Sequence, residues 1–197
     1  MLTAFQSYLQ TKAAITPKKV LELTAGLRTK RIRKGDELLA QGDLCSEMYF
    51  VSSGLLRSYT VDSSGKEHIV QFAPENWWTG DRNSFYHREP ALFSIDAIED
   101  SEVVLLTHAF FERIEKSAPE FHIFNSAALH NAIRQMQKRI VSLLSDTAEQ
   151  RYLEFIRLYP SLNLRVPQWM IATYLGITPE SLSRVRKELA RRNCKPA

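Results

Sequence analysis

Apolar residues recur at helical intervals along the first 27 positions, Leu2, Phe5 and Leu9 and then Val20, Leu21, Leu23 and Leu27, with Thr16-Pro17 between them as an N-cap and first turn. Two small covering helices are predicted. From Arg28 the period shortens to two, and Gly35, Gly42, Gly54 and Gly65 punctuate strand-like runs at 29–33, 37–40, 48–52, 55–61 and 68–72. Turns are expected at Lys34-Gly35-Asp36, Gln41-Gly42-Asp43 and 62–66. After an aromatic and polar segment, 73–90, two more strands are predicted at 92–98 and 102–107. Short strands with no helix between them argue for an antiparallel barrel or sandwich ending near His108.

From Ala109 the helical period returns, first in a short piece to Lys116. A long helix then starts at Ser117-Ala118-Pro119-Glu120 and runs to about Leu144, with Phe121, Phe124, Ala128, Ile133, Met136, Ile140 and Leu143 as its apolar positions. Such a stripe packs either on its own domain or on a twin helix in a dimer. Ser145-Asp146-Thr147 caps a further helix, 148–159, which Pro160 stops. The expected divisions are a β-rich domain over 1–116, a connecting helix over 117–145 and a small helical domain over 146–197.

The last stretch, Val166 to Arg192, reads as two short helices around a tight turn. The first begins with Pro167 as its first helical residue and buries Ile171, Ala172 and Leu175. Gly176 ends it, since glycine reaches the left-handed conformation such a turn needs. Thr178 then serves as N-cap, Pro179 as the first helical residue and Glu180 as an acid in the first turn, where the helix dipole favours it. Leu182, Val185 and Leu189 form one buried stripe, so Glu180, Ser181, Ser183, Arg184, Lys187 and Arg191 point elsewhere. This is a helix-turn-helix whose outward residues suit DNA.

Charge supports that reading. The chain holds 26 basic and 22 acidic residues, net +4, whereas residues 165–197 alone hold seven basic against two acidic ones, net +5. The basic excess therefore sits in the tail, where it attracts phosphates whatever the base sequence. At 197 residues and 44% hydrophobic content, the chain can bury a proper core. Two scattered cysteines, Cys45 and Cys194, fit a reducing cytoplasm, and the absence of a signal-like N-terminus or a long apolar run predicts a soluble cytoplasmic protein with no membrane association.

The order of parts resembles the Crp/Fnr superfamily of bacterial transcription regulators over nearly the full length. The resemblance is carried by Lys34-Gly35-Asp36-Glu37-Leu38-Leu39, the Gly42 turn, the run Met48-Tyr49-Phe50-Val51-Ser52-Ser53-Gly54-Leu55-Leu56-Arg57, and Ile177-Thr178-Pro179-Glu180-Ser181-Leu182-Ser183-Arg184. It implies an α+β protein: an N-terminal antiparallel β-roll (double-stranded β-helix) of the cyclic-nucleotide-binding kind, a long dimerisation helix and a small C-terminal helix-turn-helix domain. It further implies a homodimer on double-stranded DNA, an inverted-repeat operator, and RNA polymerase as a further partner. Glu180 and Arg184 match the family's base-reading acid and arginine; Gln168, Thr178 and Ser183 fall where phosphate contacts are made, and Ser181 can touch either bases or backbone. Pro179 departs from relatives with a base-contacting arginine there. Only five residues follow Arg192, so a full wing hairpin is not expected, and Arg186, Lys187, Arg191 and Arg192 carry more of the phosphate binding.

In family members that bind cyclic nucleotides, a Gly-Glu pair holds the ribose and an arginine holds the phosphate. Here Gly80-Asp81 occupies the first place and Phe93 falls at the second, so cyclic AMP is not expected. A different small effector, in a pocket formed by Trp77, Trp78, Gly80, Asp81, Arg82, Phe93 and Ser94, and a roll that is only a scaffold both stay open; core filling is the ordinary fate of the two tryptophans. No cysteine precedes Cys45 to hold an iron–sulfur cluster, and His68, His87 and His108 offer no pattern for haem. The five histidines lack the paired spacing of a cupin-type metalloenzyme, and no metal or catalytic site is expected. A regulatory module that binds a ligand or a protein in place of DNA is the other alternative.

Overall fold

The computed structural model describes residues 2–193. Helices α1 (Leu2–Lys12) and α2 (Pro17–Thr24) precede strands β1 (Thr29–Ile32), β2 (Glu37–Leu39), β3 (Met48–Ser53), β4 (Leu56–Val61), β5 (Glu67–Ala73) and β6 (Trp78–Thr79). A short helix α3 (Arg82–His87) leads to β7 (Ser94–Ala97) and β8 (Ser101–Leu106). Helices α4 (His108–Ser117), α5 (Pro119–Ser145), α6 (Ala148–Leu158), α7 (Leu162–Arg165), α8 (Gln168–Leu175) and α9 (Pro179–Asn193) complete the chain. The anticipated strands are present with ends displaced by one or two residues: β1, β2, β4 and β7 are shorter than expected, β3 and β5 longer, and β8 starts and ends one residue earlier. Helices α3 and α7 and the two-residue β6 were not anticipated, being too short for a periodic signal.

The strands form two four-stranded antiparallel sheets, β1-β8-β3-β6 and β2-β7-β4-β5. Their inner faces share one core that includes Ile32, Val51 and Val103 from the first sheet and Leu39, Leu56 and Ile95 from the second. Strand β3 departs from simple alternation, because Met48, Tyr49, Phe50 and Val51 are all buried. Its outer face is covered by α1: the rings of Phe5 and Tyr8 lie 4.9 and 5.0 Å from that of Phe50. Gly54, at the β3–β4 turn, has φ +89°, and a Cβ there would meet the Ser101 hydroxyl at 2.3 Å. That close approach admits no side chain.

The chain forms two compact units, one of residues 1–66 and 70–130, the other of residues 67–69 and 131–197. Helix α5 contributes to both. In the first unit Phe121 is 1% exposed, within the roll core, and Phe124 packs half-buried against it, its ring 5.8 Å from Tyr8. These two residues of the expected dimerisation stripe are therefore corrected: the first turns of α5 spend their apolar side chains on the roll. In the second unit, Ile133, Met136 and Ile140 are 54, 64 and 57% exposed, as are the unanticipated Val141 and Leu144 beside them.

Candidate nucleic-acid interface

Helices α6, α8 and α9 pack on one another in the second unit. Pro167, expected as the first helical residue of α8, is instead its N-cap, with φ −54° and ψ 140°. Ile171, Ala172 and Leu175 are buried, as are Leu182 and Val185 on α9, while Leu189 is half-buried. Gly176 turns the chain with φ +66°. Ile177 N–H then donates to the Ala172 carbonyl at 3.0 Å. The Thr178 hydroxyl accepts from Ser181 N–H at 3.2 Å, the N-cap geometry its place in the sequence predicts.

Burying Leu182 and Val185 leaves the rest of α9 outward. Glu180, Ser183, Arg184, Lys187 and Arg191 are exposed; Ser181 and Arg186 are half-buried. The carboxyl of Glu180 titrates below its usual range because its own backbone N–H, and then the Thr178 hydroxyl, hydrogen-bond the charged form. Gln168, at the start of α8, joins Pro179, Ser183, Arg186 and Lys187 around a groove of about 490 Å³. Its Oε1 has no hydrogen-bond partner among the described residues. Arg192, expected to serve phosphates, instead bonds Glu149 of α6 at 2.6 Å. The expectation about a wing concerns residues beyond Asn193, outside the described ones.

The roll treats its candidate effector residues differently. Asp81 is 2% exposed and caps α3, accepting from Ser84 N–H at 3.0 Å with Oδ1 and from Leu92 N–H at 2.7 Å with Oδ2. Each oxygen accepts a backbone N–H, so this candidate effector residue serves here as a buried structural cap. Trp78 packs edge-on against Phe5 and Phe50, and Trp77 and Phe93 lie half-buried on the same core. Arg82 faces outward, its guanidinium 5.1 Å from the Tyr86 ring. The Ser94 hydroxyl accepts from Gln41 N–H at 2.9 Å, and Gly80 presses on Met48. Among the described residues, no three His, Cys, Asp or Glu side chains gather as metal ligands, and no helix is long and apolar enough to cross a membrane.

Sequence reading missed three arginines that the structure singles out. Arg57 of β4 is buried against Asp96 of β7, and Arg139 and Arg151 hold the end of α8. No local pattern marks them, since each pairs with a residue 24 to 39 positions away.

A family model of the cyclic nucleotide-binding domain matches residues 29–117. The fumarate and nitrate reduction regulatory protein of Vibrio cholerae is 26% identical over 169 residues, covering 80% of this chain and 67% of that protein. The transcriptional activator protein Anr of Pseudomonas protegens is 27% identical over 172 residues, covering 80% and 68%. The fold is shared with FixK2 from Bradyrhizobium japonicum, at TM-score 0.71 and 22% identity over 85% of this chain and 86% of that one. It is also shared with the Thermus thermophilus catabolite activator protein, at TM-score 0.60 and 20% identity over 96% and 90%. In sequence the chain is similar to transcription regulators of the Fnr kind, and it shares its fold with FixK2 and the catabolite activator protein.

Proposed function

We propose that the protein is a DNA-binding transcription regulator that reads an inverted-repeat operator as a homodimer, without catalysis. The observation that carries this reading is the face of α9: packing Leu182 and Val185 inward leaves Glu180, Ser183, Arg184, Lys187 and Arg191 exposed together. Glu180 accepts from a cytosine amino group and Arg184 grips guanine O6 and N7 in two bonds. As an ionised carboxylate at neutral pH, Glu180 is an acceptor only. Gln168, Thr178, Ser181, Ser183, Arg186, Lys187 and Arg191 serve the backbone, with the groove beside Gln168 receiving a phosphate. The dimer forms through Ile133, Met136, Ile140 and Leu143, a 3-4-3 seam on α5 exposed in the single chain, flanked by Ala128. The roll does not take cyclic AMP, because Asp81 is buried as the cap of α3 and Phe93 stands at the arginine place; any effector it holds is of another kind. Fluorescence anisotropy with inverted repeats selected from a randomised duplex pool tests the reading, and equal weak binding to every duplex contradicts it.

A further inference from the structure

Helix α8 ends at Leu175, and the last carbonyls of a helix have no partner within it. The turn itself supplies two: Gly176 N–H donates to the Thr173 carbonyl at 3.1 Å and Ile177 N–H to that of Ala172 at 3.0 Å. The next two carbonyls are taken by side chains from elsewhere in the same unit. Arg139 of α5 donates through Nη2 to the Tyr174 carbonyl at 3.2 Å and lies 4.1 Å from the centre of the Tyr174 ring. The same Nη2 donates to the Ile69 carbonyl at 2.9 Å, in the piece 67–69 that clusters with this unit. Arg151 of α6 donates through Nη1 to the Leu175 carbonyl at 2.8 Å. Cations at a helix C-terminus also meet the negative end of its dipole.

Both arginines are themselves well fixed. Arg139 lies one turn before Leu143, whose Cδ2 would stand 3.2 Å from a Cβ at Gly176, so one face of α5 meets the turn twice. Arg151 sits in the first turn of α6, whose start is held by a capping box between Thr147 and Gln150. Both side chains are half-buried, with their guanidinium groups turned to the end of α8.

We propose that Arg139 and Arg151 are positioning residues for operator recognition: by holding the end of α8 they fix the angle of the helix-turn-helix on α5, and with it the spacing between the two recognition helices of a dimer. The inference rests on the dimeric, DNA-reading function proposed above. The lever is long enough to matter, because about 10° of play along a 15-residue helix moves its far end by roughly 4 Å, about one base-pair step.

The test compares wild type with Arg151→Lys and Arg139→Lys, which keep the charge but lose the planar fork, and with Arg151→Met. Three duplexes are titrated by anisotropy: the best selected inverted repeat, the same repeat with one base pair added between its halves, and an isolated half-site. Wild type is expected to prefer the best spacing by about tenfold or more, the gain that correct geometry gives a two-point contact. In the variants that preference falls to within about threefold while half-site affinity stays within about twofold and light scattering still gives a dimer. A folded, dimeric variant with the wild-type spacing preference overturns the inference, as does an equal loss on half-site and full site, which marks a merely stabilising role. Should Arg151→Met fail to fold, the lysine variants carry the same comparison. If wild type itself ignores spacing, the dimeric reading fails first and the inference with it.

Discussion

The Arg57 guanidinium lies against the Asp96 carboxylate in a two-bond fork, Nε to Oδ1 at 2.7 Å and Nη2 to Oδ2 at 2.8 Å, with the two side chains only 7 and 13% exposed. The pair joins adjacent strands β4 and β7, and the guanidinium also faces the Tyr59 ring at 4.2 Å. Removing its counter-charge leaves a buried cation. Asp96→Ala is expected to destabilise the roll by about 3–5 kcal/mol, whereas replacing both residues with well-packed apolar ones recovers most of that loss. Urea unfolding followed through Trp77 and Trp78 checks this; a single substitution as mild as the double one would show that the pair carries little.

Asp81 closes two backbone N–H groups at once, those of Ser84 and Leu92, from a buried position. Asp81→Ala is expected to cost roughly 2–4 kcal/mol, combining a lost N-cap with an unpaired buried donor. Asp81→Asn keeps one acceptor oxygen and should fall between the two. Thermal unfolding measures both, and a ligand-free protein indifferent to either change contradicts a structural role for this carboxylate.

Much of this architecture is legible in the sequence because its signals are local. Glycines at the hairpins, the short strand-like runs between them, and the Thr178-Pro179-Glu180 start of α9 each carry their own chemistry. What escaped is set by partners distant along the chain. Phe121 reads as part of a continuous stripe from Phe121 to Leu143, yet tertiary packing assigns it to the roll and leaves Ile133, Met136 and Ile140 uncovered. Asp81 sits at the position of a ligand-binding carboxylate, but only the fold shows that Leu92 N–H occupies its second oxygen. Arg192 reads as a phosphate-binding arginine but pairs with Glu149, while Arg151, which no local pattern marks, caps α8.

Burial raises the phenol of Tyr159 well above the usual value of 10.0, with Tyr174 adding to the effect, and burial does the same for Tyr49. A folded pKa above the unfolded one means that this stability is intact below the unfolded value and is lost as pH climbs through it towards the folded one. Above about pH 10, each such tyrosine should weaken its unit by up to ~1.4 kcal/mol per pH unit. Tyr159→Phe should flatten the alkaline limb of a urea-unfolding series, and an unchanged slope would contradict the assignment.

The exposed seam on α5 predicts a second copy of this chain. Ile140→Asp places two carboxylates in that seam and should weaken dimerisation by roughly 3–5 kcal/mol, about two to four decades in the dissociation constant. Light scattering across a dilution series reads it directly. A wild-type monomer at micromolar concentration, with or without DNA, would remove the basis for an inverted-repeat operator.

The central claim is that α9 reads bases through Glu180 and Arg184, which lie four residues apart on its outward side. Its most direct test is an anisotropy titration of wild type and Arg184→Ala against the selected inverted repeat and against the same duplex with the contacted guanine replaced in both halves. Wild type should lose about 1–3 kcal/mol per half-site on the altered duplex, while Arg184→Ala binds both duplexes alike and no better than wild type binds the altered one. An Arg184→Ala protein that still prefers the original duplex as strongly as wild type would contradict the claim.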